Sequence, residues 1–109
     1  MSDRADLLQG TLDLLVLKSV APGPLHGWAI SKRIRDQSGD VLQVNQGSLY
    51  PALYRLEDQG WLRSEWHDPP TGRRIKLYHL TPLGRKQLLQ EQRQWRIFTG
   101  AVDRLLGTV

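Results

Sequence analysis

Five polar side chains stand close together in the stretch NQGSLYPALYRLEDQGWL, residues 45–62: Gln46, Ser48, Tyr50, Tyr54 and Arg55. No nucleophile there lies beside a base, and no pair of carboxylates shares a plausible pocket, so catalysis is not their expected use. Their common chemistry is hydrogen bonding to an extended polar surface. An amide can pair bidentately with adenine and a guanidinium with guanine, while serine and tyrosine hydroxyls commonly bond phosphate. A second set follows at Arg73, Arg74 and Lys76, in a run from residue 69 to 80 that holds three cations and no acid. A third run, residues 26–35, holds Lys32, Arg33 and Arg35, again without an acid. The formal charge is +4 and the pI about 9.9, a balance that favours polyanionic partners.

The same residues exclude other chemistries. His26, His67 and His79 share no metal-ligand spacing, and with no cysteine in the chain there is neither a thiolate site nor a disulfide. The expectation is no catalytic residue, no metal and no cofactor. No run of apolar residues is long enough to span a bilayer, and the first twenty residues do not read as a signal peptide. Absence of cysteine suits a cytoplasmic protein. At 109 residues, 39% hydrophobic and 24% charged, the chain reads as one ordinary globular domain.

Polar groups are useful only where a fold points them one way. Leu49, Leu53 and Leu56 recur at i, i+4 and i+7, the spacing of a core-facing helical stripe. Asn45 is a candidate cap. Pro51 lacks an N–H and fits an early turn, so the helix is expected to begin near Gly47 or Ser48 and to end at Gly60. Upstream, TLDLLVLKSV reads as a helix apolar nearly all round, with Leu12, Leu15 and Val16 on one face and Leu14 and Leu17 on another; such helices are buried on two sides. APGPLHG breaks it. A second helix is expected over residues 27–37, with Trp28, Ile30 and Ile34 as its apolar positions and Gly39 as its stop. VLQV, residues 41–44, reads as a brief strand.

Downstream, WLRSEWH and RIKLYHL flank DPPTG as a β-hairpin with a basic tip. Thr81 and Pro82 then open a helix of some 25 residues running toward Leu106. Along it Leu88, Trp95 and Val102 recur every seven residues, and Phe98 and Leu105 form a second row with the same interval. A seam of that kind calls for a partner, most simply a second copy of the chain. The fold expected is mainly α with a small β-hairpin: a winged helix-turn-helix over residues 1–80 and a long C-terminal dimerisation helix over 81–109. In such a fold the third helix offers its outer face to the major groove.

Three segments, GTLDLLVLKSVAPGPLHGWAISKRI, NQGSLYPALYRLEDQGWL and GRRIKLYHLTPLGRKQL, follow one another over about residues 7–106. In order and spacing they resemble the motifs of the PadR family of transcriptional regulators, in its smaller subgroup with one helix after the wing. The resemblance implies a homodimer that binds double-stranded, palindromic operator DNA, usually as a repressor. It sets Gln46, Ser48, Tyr50, Tyr54, Arg73, Arg74 and Lys76 against DNA, to which the helix face adds Arg55, and it gives the dimer to the last helix with Trp95 at its aromatic position, where the seven-residue seam adds Leu88, Phe98, Val102 and Leu105. In some members a small aromatic or drug-like effector binds near that interface, which makes Trp95 and Phe98 candidate pocket residues. Two departures are Trp28 and Leu77, where the family commonly has tyrosine. Plainer roles stand beside these: ring packing for Tyr50 and Tyr54, helix capping for Gln46 and Ser48, a solvated loop tip for the wing cations, plain dimer core for Trp95 and Phe98. The rival functions are a winged-helix protein-interaction module and a ligand-sequestering dimer with no role on DNA.

Overall fold

A computed structural model describes residues 9–107. The first helix, α1 (Gln9–Val20), buries Leu12, Leu14, Val16, Leu17 and Val20 and packs against each of the other helices. It is apolar on two sides because it has neighbours on two sides. Buried Ser19 bonds back to the Leu15 carbonyl at 2.7 Å, which satisfies its hydroxyl inside the core. After the Pro-Gly-Pro break comes a two-residue strand, β1 (Leu25–His26), and then α2 (Gly27–Gln37), which buries Ile30 and Ile34. The helix α3 (Gln46–Asp58) buries Leu49, Ala52, Leu53 and Leu56. Asn45 caps it, its side-chain oxygen accepting the Ser48 N–H at 2.8 Å. Gly60 follows its end at φ +80°, a conformation that favours glycine.

The hairpin is β2 (Leu62–His67) and β3 (Ile75–Leu80), antiparallel with Leu62 opposite Leu80, Ser64 opposite Tyr78 and Trp66 opposite Lys76. β1 pairs with the other edge of β3, so the sheet order is β1-β3-β2. Leu62 and Tyr78 close the base of the sheet over the helices, whereas Trp66, further along, stands exposed. The last helix, α4 (Pro82–Leu106), starts where expected: the Thr81 hydroxyl accepts the Gly84 N–H at 2.9 Å, and Pro82 occupies the first turn.

Four expectations change. Residues 41–44 form no strand; Leu42 and Val44 lean on the core while Val41 and Gln43 face water, an alternation that resembles a strand, but no neighbouring strand offers them a ladder. The third strand comes instead from the breaker segment, at Leu25 and His26. α3 begins at Gln46, before the start inferred from Pro51, because Asn45 fixes the first turn and the proline lies on the exposed side. Trp28 is not a core residue: it is 59% exposed and stacks on His26, ring centroids 6.0 Å apart.

α4 can approach the sheet only because residue 84 is glycine. A Cβ there would lie 2.0 Å from the Trp61 carbonyl oxygen and 2.8 Å from a Leu80 methyl, and that carbonyl already accepts the Thr81 N–H. Gly84→Ala is therefore expected to cost about 1–3 kcal/mol, read as a fall of several degrees in the thermal midpoint at fixed protein concentration. An unchanged midpoint would mean that the β3–α4 junction yields freely.

Candidate nucleic-acid interface

α3 sorts its side chains by rotation. With the leucines turned inward, Gln46, Tyr50 and Tyr54 fall along one exposed strip, and Tyr54 is 73% exposed. Tyr54 is thus a solvent-facing ring. Tyr50 is more confined: a Cβ on Gly27 would come within 2.7 Å of its hydroxyl oxygen. The glycine at the start of α2 leaves the space in which that ring lies. Ser48 is exposed in the first turn, its N–H taken by the Asn45 cap.

The wing faces this strip across a groove of about 590 Å³ lined by Trp28, Tyr50, Trp66, Arg74, Lys76 and Tyr78. The structure therefore brings together Tyr50 and two of the three wing cations. Arg74 is held on the hairpin itself, its Nε 3.2 Å from an Asp68 carboxylate oxygen and its guanidinium carbon 4.8 Å from the centre of the Trp66 ring. Lys76 lies 5.6 Å from the same ring centre and 5.9 Å from that of Tyr78. Arg73 is exposed beside the Gly72 turn, with no ion pair or ring contact among the described residues. Burial pushes the Tyr78 phenol above its ordinary range, with the charges of Glu57 and Tyr50 adding to the effect.

Arg55 does not join the strip. It lies on the opposite flank of α3 and gives a hydrogen bond of 2.8 Å to Asp13 on α1. Its Nε is buried without a partner among the described residues. Burial raises the Asp13 carboxyl above the usual range, and the Arg55 guanidinium pulls it back only partly. The five-residue group thus divides, because Tyr54 and Arg55 are neighbours in sequence but about 100° apart around a helix. Sequence reasoning misses Asp13, Asp68 and Trp66 as partners of these arginines. The hairpin register, which sets Trp66 opposite Lys76, is the one hint the sequence offers.

The α4 seam divides as well. Leu88 is 3% exposed and belongs to the chain's own core, so it has no surface left for another chain. Trp95, Phe98 and Leu105 are exposed and Val102 is half-buried. The Trp95 and Phe98 rings lie 6.1 Å apart, tilted by 39°. They border a cleft of about 480 Å³ shared with Trp61, Asp13 and Glu91. Glu91 accepts a hydrogen bond from Gln87 at 2.6 Å. Among the described residues no helix is long and apolar enough to cross a membrane.

Three helices followed by a two-stranded wing, with a third short strand beside it, define a winged helix. The chain matches the transcriptional regulator PadR-like family over residues 16–90, and it belongs to that family, one of regulators rather than enzymes. It is 27% identical over 100 residues to uncharacterized protein X of Lysinibacillus sphaericus, covering 92% of each. It is 35% identical over 80 residues to a transcriptional regulator of Mycobacterium tuberculosis, covering 73% of this chain and 71% of that one. A transcriptional regulator from Clostridium thermocellum superposes with a TM-score of 0.83 at 27% identity, over 92% of this chain and 97% of that chain. Bacillus subtilis PadR, solved in complex with operator DNA, superposes with a TM-score of 0.66 at 25% identity. That match covers 72% of this chain but 45% of the larger protein.

If Arg55 ties α3 to α1, a double-mutant cycle of Arg55→Ala with Asp13→Asn should return a coupling of about 1 kcal/mol, for a pair between exposed and buried. Zero coupling, with lost DNA affinity in Arg55→Ala, would return this arginine to the outer face.

Proposed function

We propose that two copies of this chain join along the outer half of α4 and bind operator DNA as a repressor. Each copy lays the Gln46, Tyr50 and Tyr54 strip in a major groove, with Ser48 at its first turn and the wing beside it. The observation that carries this reading is the meeting of Tyr50, Arg74 and Lys76 in one groove, with Arg73 beside it at the exposed tip. Two related half-sites about 34–36 Å apart suit a helix–turn–helix dimer, and the operator complex of the Bacillus subtilis relative supports the same use of the fold. Hydroxyls and cations at this strip serve phosphate first and bases second. Arg73 and Arg74 then divide the work of the wing. Arg73 meets phosphate directly, whereas Arg74 holds the hairpin through Trp66 and Asp68.

Dimerisation rests on Trp95, Phe98, Val102 and Leu105, without Leu88. The cleft beside Trp95 and Phe98 serves as the effector site. With Asp13 already paired to Arg55, the charge left over in the cleft is the Glu91 carboxylate, which favours a planar aromatic compound carrying positive charge over an anionic one. Binding there releases DNA only to the extent that it favours one dimer geometry over the other. Because the Asp13 carboxyl is raised by burial, its negative charge is gained as pH rises through that raised value. A cationic ligand is expected to bind more tightly across the same window, and Asp13→Asn to flatten the dependence.

Arg73→Ala is expected to weaken binding to every duplex and to reduce the slope of log affinity against log salt by about 0.9, the value of one phosphate. A mutant with wild-type affinity and slope would remove the wing from the interface. Trp95→Ala is expected to shift sedimentation toward the monomer and to abolish fluorescence-detected binding of a planar cationic dye. Unchanged behaviour in both assays would remove α4 from both roles.

A further inference from the structure

The outer side of α4 carries a second cationic surface that none of these roles uses. At about 100° per residue, Lys86, Leu89, Arg93, Arg96, Ile97 and Arg104 share one side of the helix, roughly opposite Trp95, Phe98 and Val102. All six are exposed, Leu89 at 59% and Ile97 at 67%. Leu89, Gln92, Arg93, Arg96 and Ile97 border a shallow depression of about 460 Å³. Glu91 is the one carboxylate between Pro82 and Val102 in the sequence, and it lies on the other side, in the cleft with Trp95. Among the described residues Lys86, Arg93 and Arg96 form no ion pair. Asp103, one heptad beyond Arg96, adds an acid at the far end of this side, so the stretch around Lys86, Arg93 and Arg96 is cationic on balance, and a partner helix along the Trp95 seam would leave it open.

We propose that this side of α4 docks an acidic amphipathic helix of another protein. The partner's carboxylates would meet Arg93 and Arg96, and its aliphatic side chains would cover Leu89 and Ile97. Charge selects an anionic partner. The two aliphatics narrow the choice, since a duplex would use the arginines and leave Leu89 and Ile97 wet. A lipid surface calls for a broad apolar face, and here two aliphatic side chains stand among cations. A second copy would set like charges against each other. Leu89 and Ile97 are eight residues apart, about 12 Å along the axis, a reach that leucines one heptad apart on a docked helix can match.

The test uses the full chain and fluorescence anisotropy with four probes: a helical glutamate peptide with leucines at heptad spacing, polyglutamate of equal length, random duplex DNA and phosphatidylserine vesicles. The glutamate–leucine peptide is expected to bind at least about tenfold more tightly than polyglutamate, a difference of about 1.4 kcal/mol. Leu89→Ser with Ile97→Ser should erase that preference, and Arg93→Glu with Arg96→Glu should abolish binding of both peptides. Should the charge reversal lose helicity, Arg93→Gln with Arg96→Gln carries the same test. Operator affinity and sedimentation are expected to be unchanged in these variants. Equal affinity for the two peptides, a mutation-sensitive preference for duplex or vesicles, or dissociation of the Leu89/Ile97 variant into smaller species would overturn the proposal. Because operator binding is read separately, its loss in the wild type would count against the DNA reading alone.

Discussion

Burial of Leu49, Leu53 and Leu56 against the rest of the helical core is the contact on which everything else depends. Each leucine, fully buried, contributes about 1.5–3 kcal/mol. Together they fix the rotation of α3 about its own axis. A turn of one residue, about 100°, would drive tyrosines toward the core and leucines into water. The direction of Gln46, Tyr50 and Tyr54 is thus a consequence of apolar packing on the other side of the helix. Gly27 and Gly84 support that geometry by what they lack: one leaves room for the Tyr50 ring, the other lets α4 close on the sheet.

The cations differ in how they are held, and that governs what each can do. Arg55 is tied to Asp13 and Arg74 to Asp68 and Trp66, while Lys32 pairs with Asp36 along α2. Asp36 is correspondingly held below the usual carboxylate range, chiefly by Lys32. These cations shape the molecule before they meet any partner. Arg73, Arg93 and Arg96 have no such ties among the described residues and are available to one. Net charge alone does not reveal this division, because the carboxylate that neutralises a given arginine can sit far away in sequence, as Asp13 does from Arg55.

Much of the fold is legible in the sequence because its signals are local. The Asn45 cap, the Thr81–Pro82 start, the leucine spacing of α3 and the turn residues between β2 and β3 each act within a few residues, and the elements form where those signals point. Sequence reasoning fails where long-range partners decide. Residues 41–44 have the alternation of a strand but no strand beside them, and Leu25 and His26 become one only through the edge of β3. Leu88 obeys the heptad interval of the seam yet is used by the chain's own core, because the first turns of α4 pack on the domain. The place of Arg55 about 100° round the helix from Tyr54 can be read from the sequence; its partner Asp13, 42 residues away on α1, cannot.

In the proposed complex the outward strip of α3 meets DNA from two joined copies of the chain. A photocrosslinking amino acid substituted at Tyr54, exposed and outside the core, tests it most directly on a duplex selected from the source genome by binding to the chain. The account predicts crosslinks at two symmetry-related positions about one helical turn apart. Absence of any crosslink from residue 54 under conditions where the duplex is bound, or a single unpaired position, would contradict it.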